Sequence, residues 1–579
     1  MNQVWKWLLV VAAAFVAAAV ALQLGAVIGG TERPDLNPLA GLLQVALGRV
    51  ESNPVTWVLL AVVFLGTCAL AAFIPEANSG ATGGEAEANR RIGAAAAFTR
   101  SKAEAREAET AEHLHPGQNI GPGLPLATKG KDTLWLGWRQ CGLHIWSTGR
   151  GKTTSQVIPH AVAAPGPLLM TTNKVDGVWE IVAARSKIGR VFICDPANVL
   201  CRKNPTQHRF PILELATGSL DAEKVGMIFE KATRGMTQES GANAHFDRTG
   251  AKNLGRLILA AHLGGLSDRE VYNWAMSMDE DTPAAILTDH GLERQADALR
   301  GLAQQPADTR GSVWATTQRC AAPFEHEDVL GSFRTNGVDP ARVFDPAAFV
   351  TSQDTLILIG DRFIAGTAAF VSALTWKVFT EGNKAASRQP NGRLAVPMVM
   401  ELDEVGNAVF LPELPDWYSY AGSRGIVINS YLQSQAQGIE QFGKDGLKKM
   451  HGSSNAFTYG GGSSDPEFLR PIVDLVGRYE HLTTSRSTSS GDGIASSRST
   501  STQQQQREIL SVSQLARLSP GKLLLTTSEG GAGIVDAPFY FQNKPLYEEI
   551  QTGRAWLIER ECLLDETKMK TMEKDMDHE

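Results

Sequence analysis

The chain has 579 residues, 43% hydrophobic and 20% charged, enough apolar residue for a buried core and enough length for about three or four domains. A net charge of -7 excludes a globally basic nucleic-acid binder, so any such contact must be local or must line a pore built by several subunits. The six cysteines, Cys68, Cys141, Cys194, Cys201, Cys320 and Cys562, form no C-x-x-C pair and show no zinc-ligand spacing, and they read as buried thiols in a reducing compartment.

In chain order, Trp7 to Ile28 is apolar except for Gln23, and Val55 to Ile74 is apolar except for Thr56 and Thr67. Each is long enough to cross a bilayer core of roughly 30 Å, and together they predict two transmembrane helices in a membrane anchor, residues 1–75. Trp5, Trp7 and Trp57 suit interfacial positions, and the cluster Arg90, Arg91, Arg100, Lys102 and Arg106 after the second span predicts a multi-pass protein of the cell membrane with its long C-terminal part cytoplasmic. Residues 76–130 read as an Ala/Gly/Glu-rich linker followed by a charged helix from about Ala94 to His113.

From Leu134 onward, short apolar runs alternate with helical patterns. The predicted strands are Leu143–Trp146, Leu168–Thr172, Val191–Asp195, Thr355–Gly360, Val396–Asp403, Ile426–Leu432, Asn455–Tyr459 and Leu523–Thr527. Near-continuous apolar strands are the signature of a parallel sheet covered on both faces. Between the third and the fourth, Asp221 to Thr316 has helical periodicity only, so an all-α domain (221–335) interrupts an α/β motor domain (131–220 and 336–550). Thr483 to Gln506 is Ser/Thr/Gln-rich and reads as a flexible loop. The tail 551–579 ends in a charged run from Lys568.

The chemistry begins at Leu143–Thr154, L-H-I-W-S-T-G-R-G-K-T-T. An apolar strand, a Gly-rich turn and a helix start form the P-loop arrangement, in which backbone N–H groups wrap a phosphate. The candidate nucleotide-binding residues are Ser147, Thr148, Gly149, Arg150, Gly151, Lys152, Thr153 and Thr154. Lys152 reaches the β/γ-phosphates, and the Thr153 hydroxyl ligates Mg²⁺. Trp146 stands where this motif usually has its first glycine. The strand P-M-V-M-E-L-D-E, Pro397–Glu404, supplies the acids at its C-terminal edge, where open α/β sheets bind ligands. Asp403 serves Mg²⁺ through water, and Glu404 orients or deprotonates the attacking water. In G-S-R-G-I-V-I-N-S-Y-L-Q, Gly422–Gln433, Gln433 ends a strand as a γ-phosphate sensor, and Arg424 at the opposite end is a candidate arginine finger for a neighbouring subunit.

The order of P-loop, L-D-E-V-G-N, A-G-S-R-G-I-V-I and L-Q-S-Q-A-Q resembles the TraG/TraD-type coupling proteins of type IV secretion and conjugation. F-I-C-D-P (Phe192–Pro196), F-P-I-L (Phe210–Leu213, with Phe in place of the family's Asn) and the block Arg507–Leu525 after the Ser-rich loop agree with it. Trp146 and Arg150 depart from it. The resemblance implies a RecA/FtsK/HerA-like P-loop NTPase motor, an all-α domain and a membrane anchor, assembled as a homo-hexameric ring. It implies ATP and Mg²⁺ as cofactors, and hydrolysis coupled to delivery of single-stranded DNA with its relaxase, or of protein, to components of a type IV secretion channel. A ring would need few cations per subunit to hold DNA; Lys377, Lys384, Arg388, Lys444, Lys448 and Lys449 are candidates. His245, Phe246 and Asp247 fit a substrate-facing aromatic–Asp site, with packing as the commoner explanation. Two other readings are an FtsK/HerA-type double-stranded DNA translocase and a nucleotide-binding adaptor without hydrolysis. No nuclease, relaxase or protease centre is present in the sequence.

Overall fold

The computed structural model describes residues 98–113, 120–200, 208–234, 244–489 and 497–559, except residues 362 and 365, together with scattered residues between 17 and 63. Two compact units are distinguished, Met1–Ser79 and Gly80–Glu579. In the first, the described residues include helical backbone at 21–24, 26–28 and 54–59. Among the described residues no helix is long and apolar enough to cross a membrane. Most of the two spans read at 7–28 and 55–74, the linker before residue 98, and the tail from residue 560 lie outside the described residues.

The second unit is built on an 11-stranded sheet. Its strands are β1 (Leu124–Lys129), β2 (Asp132–Leu136), β3 (Gly142–Ile145), β4 (Leu168–Thr172), β5 (Val191–Cys194), β6 (Thr355–Ile359), β7 (Met398–Leu402), β8 (Ile426–Leu432), β9 (Ala456–Tyr459), β12 (Lys522–Thr527) and β13 (Ala532–Asp536); β10 (Arg478–Ser489) and β11 (Ser497–Glu508) pair separately. The spatial order is β2-β1-β13-β12-β9-β3-β8-β7-β4-β6-β5. From β9 to β5 all neighbours are parallel, and β12, β13, β1 and β2 add an antiparallel flank. All eight strands read from the sequence are present, with ends moved by at most two residues. β3 to β9 are buried at every position, as helices on both faces require.

Three strands escape the sequence reading. β1, β2 and β13 are short, and β1 carries Pro125 and a register irregularity between Pro125 and Ala127. β2 is the edge of the sheet, and β1, β2 and β13 mix buried with partly exposed positions, so none reads as a continuous apolar run. A second difference concerns the Ser-rich segment. Expected to be a structureless loop, it pairs as an antiparallel ladder from Arg478↔Glu508 to Ser489↔Ser497. Its many β-branched Thr positions favour extended backbone, a preference that composition alone does not convey.

Between Cys194 and Thr355 the described residues form helices and turns, chiefly Ser219–Thr233, Ala244–Leu263, Asp268–Ser277, Asp281–Asp289, Glu293–Ala303 and Ala307–Ala321. The first two meet through reciprocal glycines. A Cβ on Gly226 would lie 2.0 Å from Ala251 O, and one on Gly255 would lie 2.1 Å from Ala222 O. Only glycine permits that approach.

Three of the cationic pore candidates are paired with carboxylates, among them Lys384 with Glu381 at 2.9 Å. Lys377 is buried in the helix Thr367–Ser387 and pairs with Asp221 at 3.0 Å and Glu381 at 3.3 Å. A lysine so enclosed cannot face DNA, a correction that follows from a helix apolar on nearly all sides. Lys449 pairs with Asp416. Asp247 receives Arg319 at 2.8 Å and also Arg234, so it serves packing of the helical region.

Candidate active site

The P-loop, Gln433 and the acids follow β3, β8 and β7, three neighbouring parallel strands. Their C-terminal ends are level, with Ile145 opposite Leu432 and Leu402 opposite Ser430. The sheet thus brings residues more than 250 positions apart to one edge, where strand ends open into a crevice. A cleft of about 580 Å³ lies there, lined by Trp146–Thr154, Lys174–Gly177, Trp179, Glu180, Glu404, Gln433, Tyr540 and Arg554. All eight candidate P-loop residues line it. Asp403 lies behind Lys152, and Arg424 is at the far end of β8.

Gly149 and Gly151 have φ of 75° and 79°, a left-handed region in which glycine avoids the cost of a Cβ. Such turns point successive N–H groups into one concavity and suit an anion. Helix backbone follows at once, Thr153–Val157 as a π turn and Ile158–Ala163 as α-helix. The hydroxyls of Thr154 and Ser155 donate to Gly151 O at 3.0 and 2.8 Å. The Thr153 methyl meets the loop at Gly177, where a Cβ would lie 2.7 Å away.

Lys152 is buried, and its Nζ lies 2.6 Å from Asp403 Oδ1 and 3.2 Å from Glu404 Oε1. Lys174 Nζ reaches the same Glu404 oxygen at 2.8 Å. Gln433 Nε2 and Asn407 Nδ2 donate to the other oxygen at 2.6 and 3.1 Å. Burial alone would raise the Glu404 carboxyl, but Lys152 and Lys174 outweigh it and hold it down at about 2. Burial pushes Asp403 up against the pull of Lys152. Burial disfavours the Lys152 ammonium, yet Asp403 and Glu404 more than compensate and keep it protonated. Glu404 also adopts φ of 57°, a strained conformation for a residue with a Cβ, costing about 1–3 kcal/mol. The turn is held by Asn407 and Ala408 N–H groups donating to Glu404 O, both at 2.9 Å.

Trp146 is 1% exposed. Its indole Nε1 donates to Thr458 Oγ1 at 2.9 Å, and its ring fills the space where a Cβ on Gly460 would be, 2.1 Å from Cδ2. Arg150 leans the same way. Its Nε donates to Gly460 O at 3.0 Å and its Nη2 to Leu518 O; a Cβ on Gly461 would lie 2.3 Å from Nη2. Ser147 N–H donates to Gly461 O at 3.3 Å. The two departures from the usual loop are therefore accommodated by one glycine run, Gly460–Gly462.

Beneath the cleft runs a buried polar chain. The Thr458 hydroxyl accepts from Trp146 and gives its own proton to His144 Nδ1 at 2.7 Å. His144 then carries its proton on Nε2 and donates to Asn429 Oδ1 at 3.2 Å. This fits a neutral imidazole, since burial and the neighbouring His160 drive its pKa down to about 3. Asn429 Nδ2 donates to Glu401 Oε1 and the Tyr431 hydroxyl to Glu401 Oε2, both at 2.7 Å. His160, on the helix after the P-loop, lies 3.0 Å from the Tyr431 oxygen and donates from Nε2 to Pro125 O at 3.1 Å. The strands of the P-loop, the acids and Gln433 are thus cross-linked, each member satisfying the next.

Arg424 closes a 3-10 turn, Ala421–Arg424. Its Nη1 donates to Gly392 O at 3.2 Å and Ser387 Oγ at 3.4 Å, away from the cleft of its own subunit. Sequence reasoning missed Lys174, Asn407, Tyr540 and Arg554. For Lys174 a signal existed: it follows the end of β4, beside the acid strand β7 in the sheet. The donor set for Mg²⁺, the Thr153 hydroxyl and the Asp403 carboxylate, consists of hard oxygens. Among the described residues no cluster of three His, Cys, Asp or Glu residues could hold a metal, so any cation must draw remaining ligands from phosphate or water.

A family profile described as "TraM recognition site of TraD and TraG" matches residues 397–520, which span the acid strand, β8 and the hairpin. The resemblance to TraG/TraD-type coupling proteins holds. No curated relative matches the chain. Among solved structures, the bacterial conjugative coupling protein TrwBΔN70 in an unbound form aligns with a TM-score of 0.52 at 13% identity, over 75% of this chain and 91% of its own. It shares the mixed α/β fold of that motor. TrwB with the non-hydrolysable ATP analogue ADPNP aligns with a TM-score of 0.49 at 15% identity, over 69% and 86%. VirB4 of Thermoanaerobacter pseudethanolicus aligns with a TM-score of 0.40 at 11% identity, over 74% and 97%.

Proposed function

We propose that this chain is a membrane-anchored, Mg²⁺-dependent ATPase that recruits single-stranded DNA with its relaxase, or protein substrates, and drives them into a type IV secretion or conjugation channel. The carrying observation is the convergence of Lys152, Asp403, Glu404 and Gln433 from three adjacent strand ends on one cleft. The cleft fits a triphosphate because it joins left-handed glycines, a helix start and two lysines, and both lysines already hold carboxylate oxygens, Lys152 those of Asp403 and Glu404 and Lys174 that of Glu404. Bound ATP·Mg²⁺ supplies the scissile phosphoanhydride and a Lewis acid.

The residues divide the work. Lys152 and Lys174 exchange their carboxylate partners for phosphate oxygens. Glu404 then loses the counter-charges that hold it at about 2, its proton affinity climbs, and it becomes a better base for water. The Asp403 carboxylate and the Thr153 hydroxyl would hold Mg²⁺, which would supply the Lewis acid there. Gln433, bonded to Glu404 through Nε2 and accepting from Thr148 Oγ1 at 3.3 Å, is placed to follow the γ-phosphate. Basicity is thereby tied to occupancy, which guards against idle proton transfer. Arg424, facing away from this cleft, acts on the site of the next subunit in a homo-hexamer. The all-α region 221–335 meets substrate, and the two apolar N-terminal stretches hold the assembly in the cell membrane.

The test is phosphate release from Gly80–Glu579, the second compact unit, with no DNA, with single-stranded DNA and with duplex. Stimulation by single strands supports the proposal. Stimulation by duplex alone would point to a double-strand translocase, and nucleotide binding without turnover would leave an adaptor. Turnover that survives Lys152→Ala would remove the site assignment.

A further inference from the structure

The cleft is lined by more than the residues suited to a phosphate chain. Its phosphate end holds Lys152, Glu404 and Gln433. Its lining also includes Trp179, Glu180, Tyr540 and Arg554, and two of these come from the C-terminal segment that no sequence motif marks. We infer that Tyr540 and Arg554, with Trp179, form a subsite for the nucleoside of a nucleoside triphosphate, so that the C-terminal segment completes the cleft. This rests on the ATPase reading above.

The segment is fixed against the P-loop. A Cβ on Gly151 would lie 2.4 Å from Phe539 Cε1, so the Phe539 ring seats directly on the glycine before Lys152. The helix Lys544–Glu559 is fixed as well: a Cβ on Gly553 would lie 2.2 Å from Ala183 O, and Arg554 Nη1 pairs with Glu180 Oε1 at 2.5 Å. Tyr540 is half-buried and held by Phe541 and Tyr547, with ring centroids 5.6 and 6.4 Å away. A ring so placed offers a face for stacking, and a planar guanidinium beside it adds a second stacking or donor surface. A third observation is independent of these. Trp179 is 5% exposed, and its indole Nε1 is buried without a hydrogen-bond partner. An unspent donor beside a cleft suits an acceptor on a ribose or base.

Calorimetric titration of the full-length chain with ATP and with inorganic tripolyphosphate separates the two halves. Base–aromatic stacking accounts for roughly 5–150-fold in affinity, so Tyr540→Ala should weaken ATP by that factor and leave tripolyphosphate unchanged. Tyr540→Phe, which keeps the ring, should bind ATP as the unaltered chain does. Lys152→Ala should lose both ligands. Unchanged ATP affinity in Tyr540→Ala would overturn the subsite. Equal weakening of both ligands would overturn it too, because it would mark a structural role at the P-loop. If the unaltered chain binds neither ligand, the ATP cleft itself is wrong and the subsite falls with it.

Discussion

The two ends of β8 carry the same kind of sequence signal and have opposite surroundings. At the C-terminal end, Gln433 donates to Glu404 at 2.6 Å within reach of Lys152. At the N-terminal end, Arg424 bonds Gly392 and Ser387 and lies on the side of the sheet away from the cleft. A parallel sheet is polar. All strands from β9 to β5 present their C-terminal ends to one edge, so only that edge can gather a P-loop, acids and a sensor from one chain. A cation at the other edge can assist catalysis only by entering a neighbour's cleft.

The largest effect breaks or secures that comparison. If Arg424 is a finger acting between subunits, Arg424→Ala should cost about 10³–10⁵ in turnover, while ATP binding stays intact. Mixing Arg424→Ala with Glu404→Gln subunits should restore activity, since each supplies what the other lacks. Absence of recovery, with full-sized loss in Arg424→Ala alone, would make Arg424 a support for the Ser387–Gly392 turn instead. The near end gives the next effect. Glu404→Gln should lower turnover about 10²–10⁴-fold with nucleotide still bound, as single-turnover assays would show. The substitution also removes an ionised group held down at about 2, so retained turnover would shift the role of base elsewhere.

The sheet and its site were legible to different depths. The eight strands are legible because strands covered on both faces are apolar nearly throughout; Asp403, Glu404 and Gln433 stand out because they follow such strands at once, and Lys152 because it closes the glycine-rich turn after one. Asn407 and Tyr540 do not. Their roles depend on which strand lies beside which and on a C-terminal helix folding back, relations that no local pattern encodes. The meaning of Trp146 was hidden for the same reason: its partners, Thr458 and Gly460, lie more than 300 positions away. Low apolar content in the Ser-rich segment does not mean lack of structure, because a backbone ladder such as Arg478↔Glu508 to Ser489↔Ser497 needs no apolar side chains.

Trp146 sharpens the comparison from the loop side. Restoring the more usual glycine by Trp146→Gly should damage the chain rather than repair it, because the ring fills the space over Gly460 and its Nε1 is bonded to Thr458. The expected loss is about 3–5 kcal/mol, in the range for emptying a buried aromatic site, read as a lower midpoint in urea. A variant as stable as the parent and faster in turnover would show that the tryptophan is a burden that the glycine run merely tolerates.

The middle of β8 gives the smallest and most diagnostic effect. Asn429 and Tyr431 lie between the two ends and tie the strand to His144, His160 and Glu401. His144 titrates near 6.5 when unfolded and is driven to about 3 by burial and by His160. The unfolded chain therefore takes up the proton first as pH falls. This group's contribution to stability is complete above 6.5 and is lost progressively as pH falls from 6.5 toward 3. The slope is about 1.4 kcal/mol per pH unit, or about 2 kcal/mol by pH 5. His144→Gln removes the titration, so urea unfolding of the variant should lack that part of the acid slope, even though the variant is less stable at pH 7. Parallel slopes in the two proteins would mean that His144 is protonated in the fold, with Nδ1 donating to the Thr458 hydroxyl instead of accepting from it.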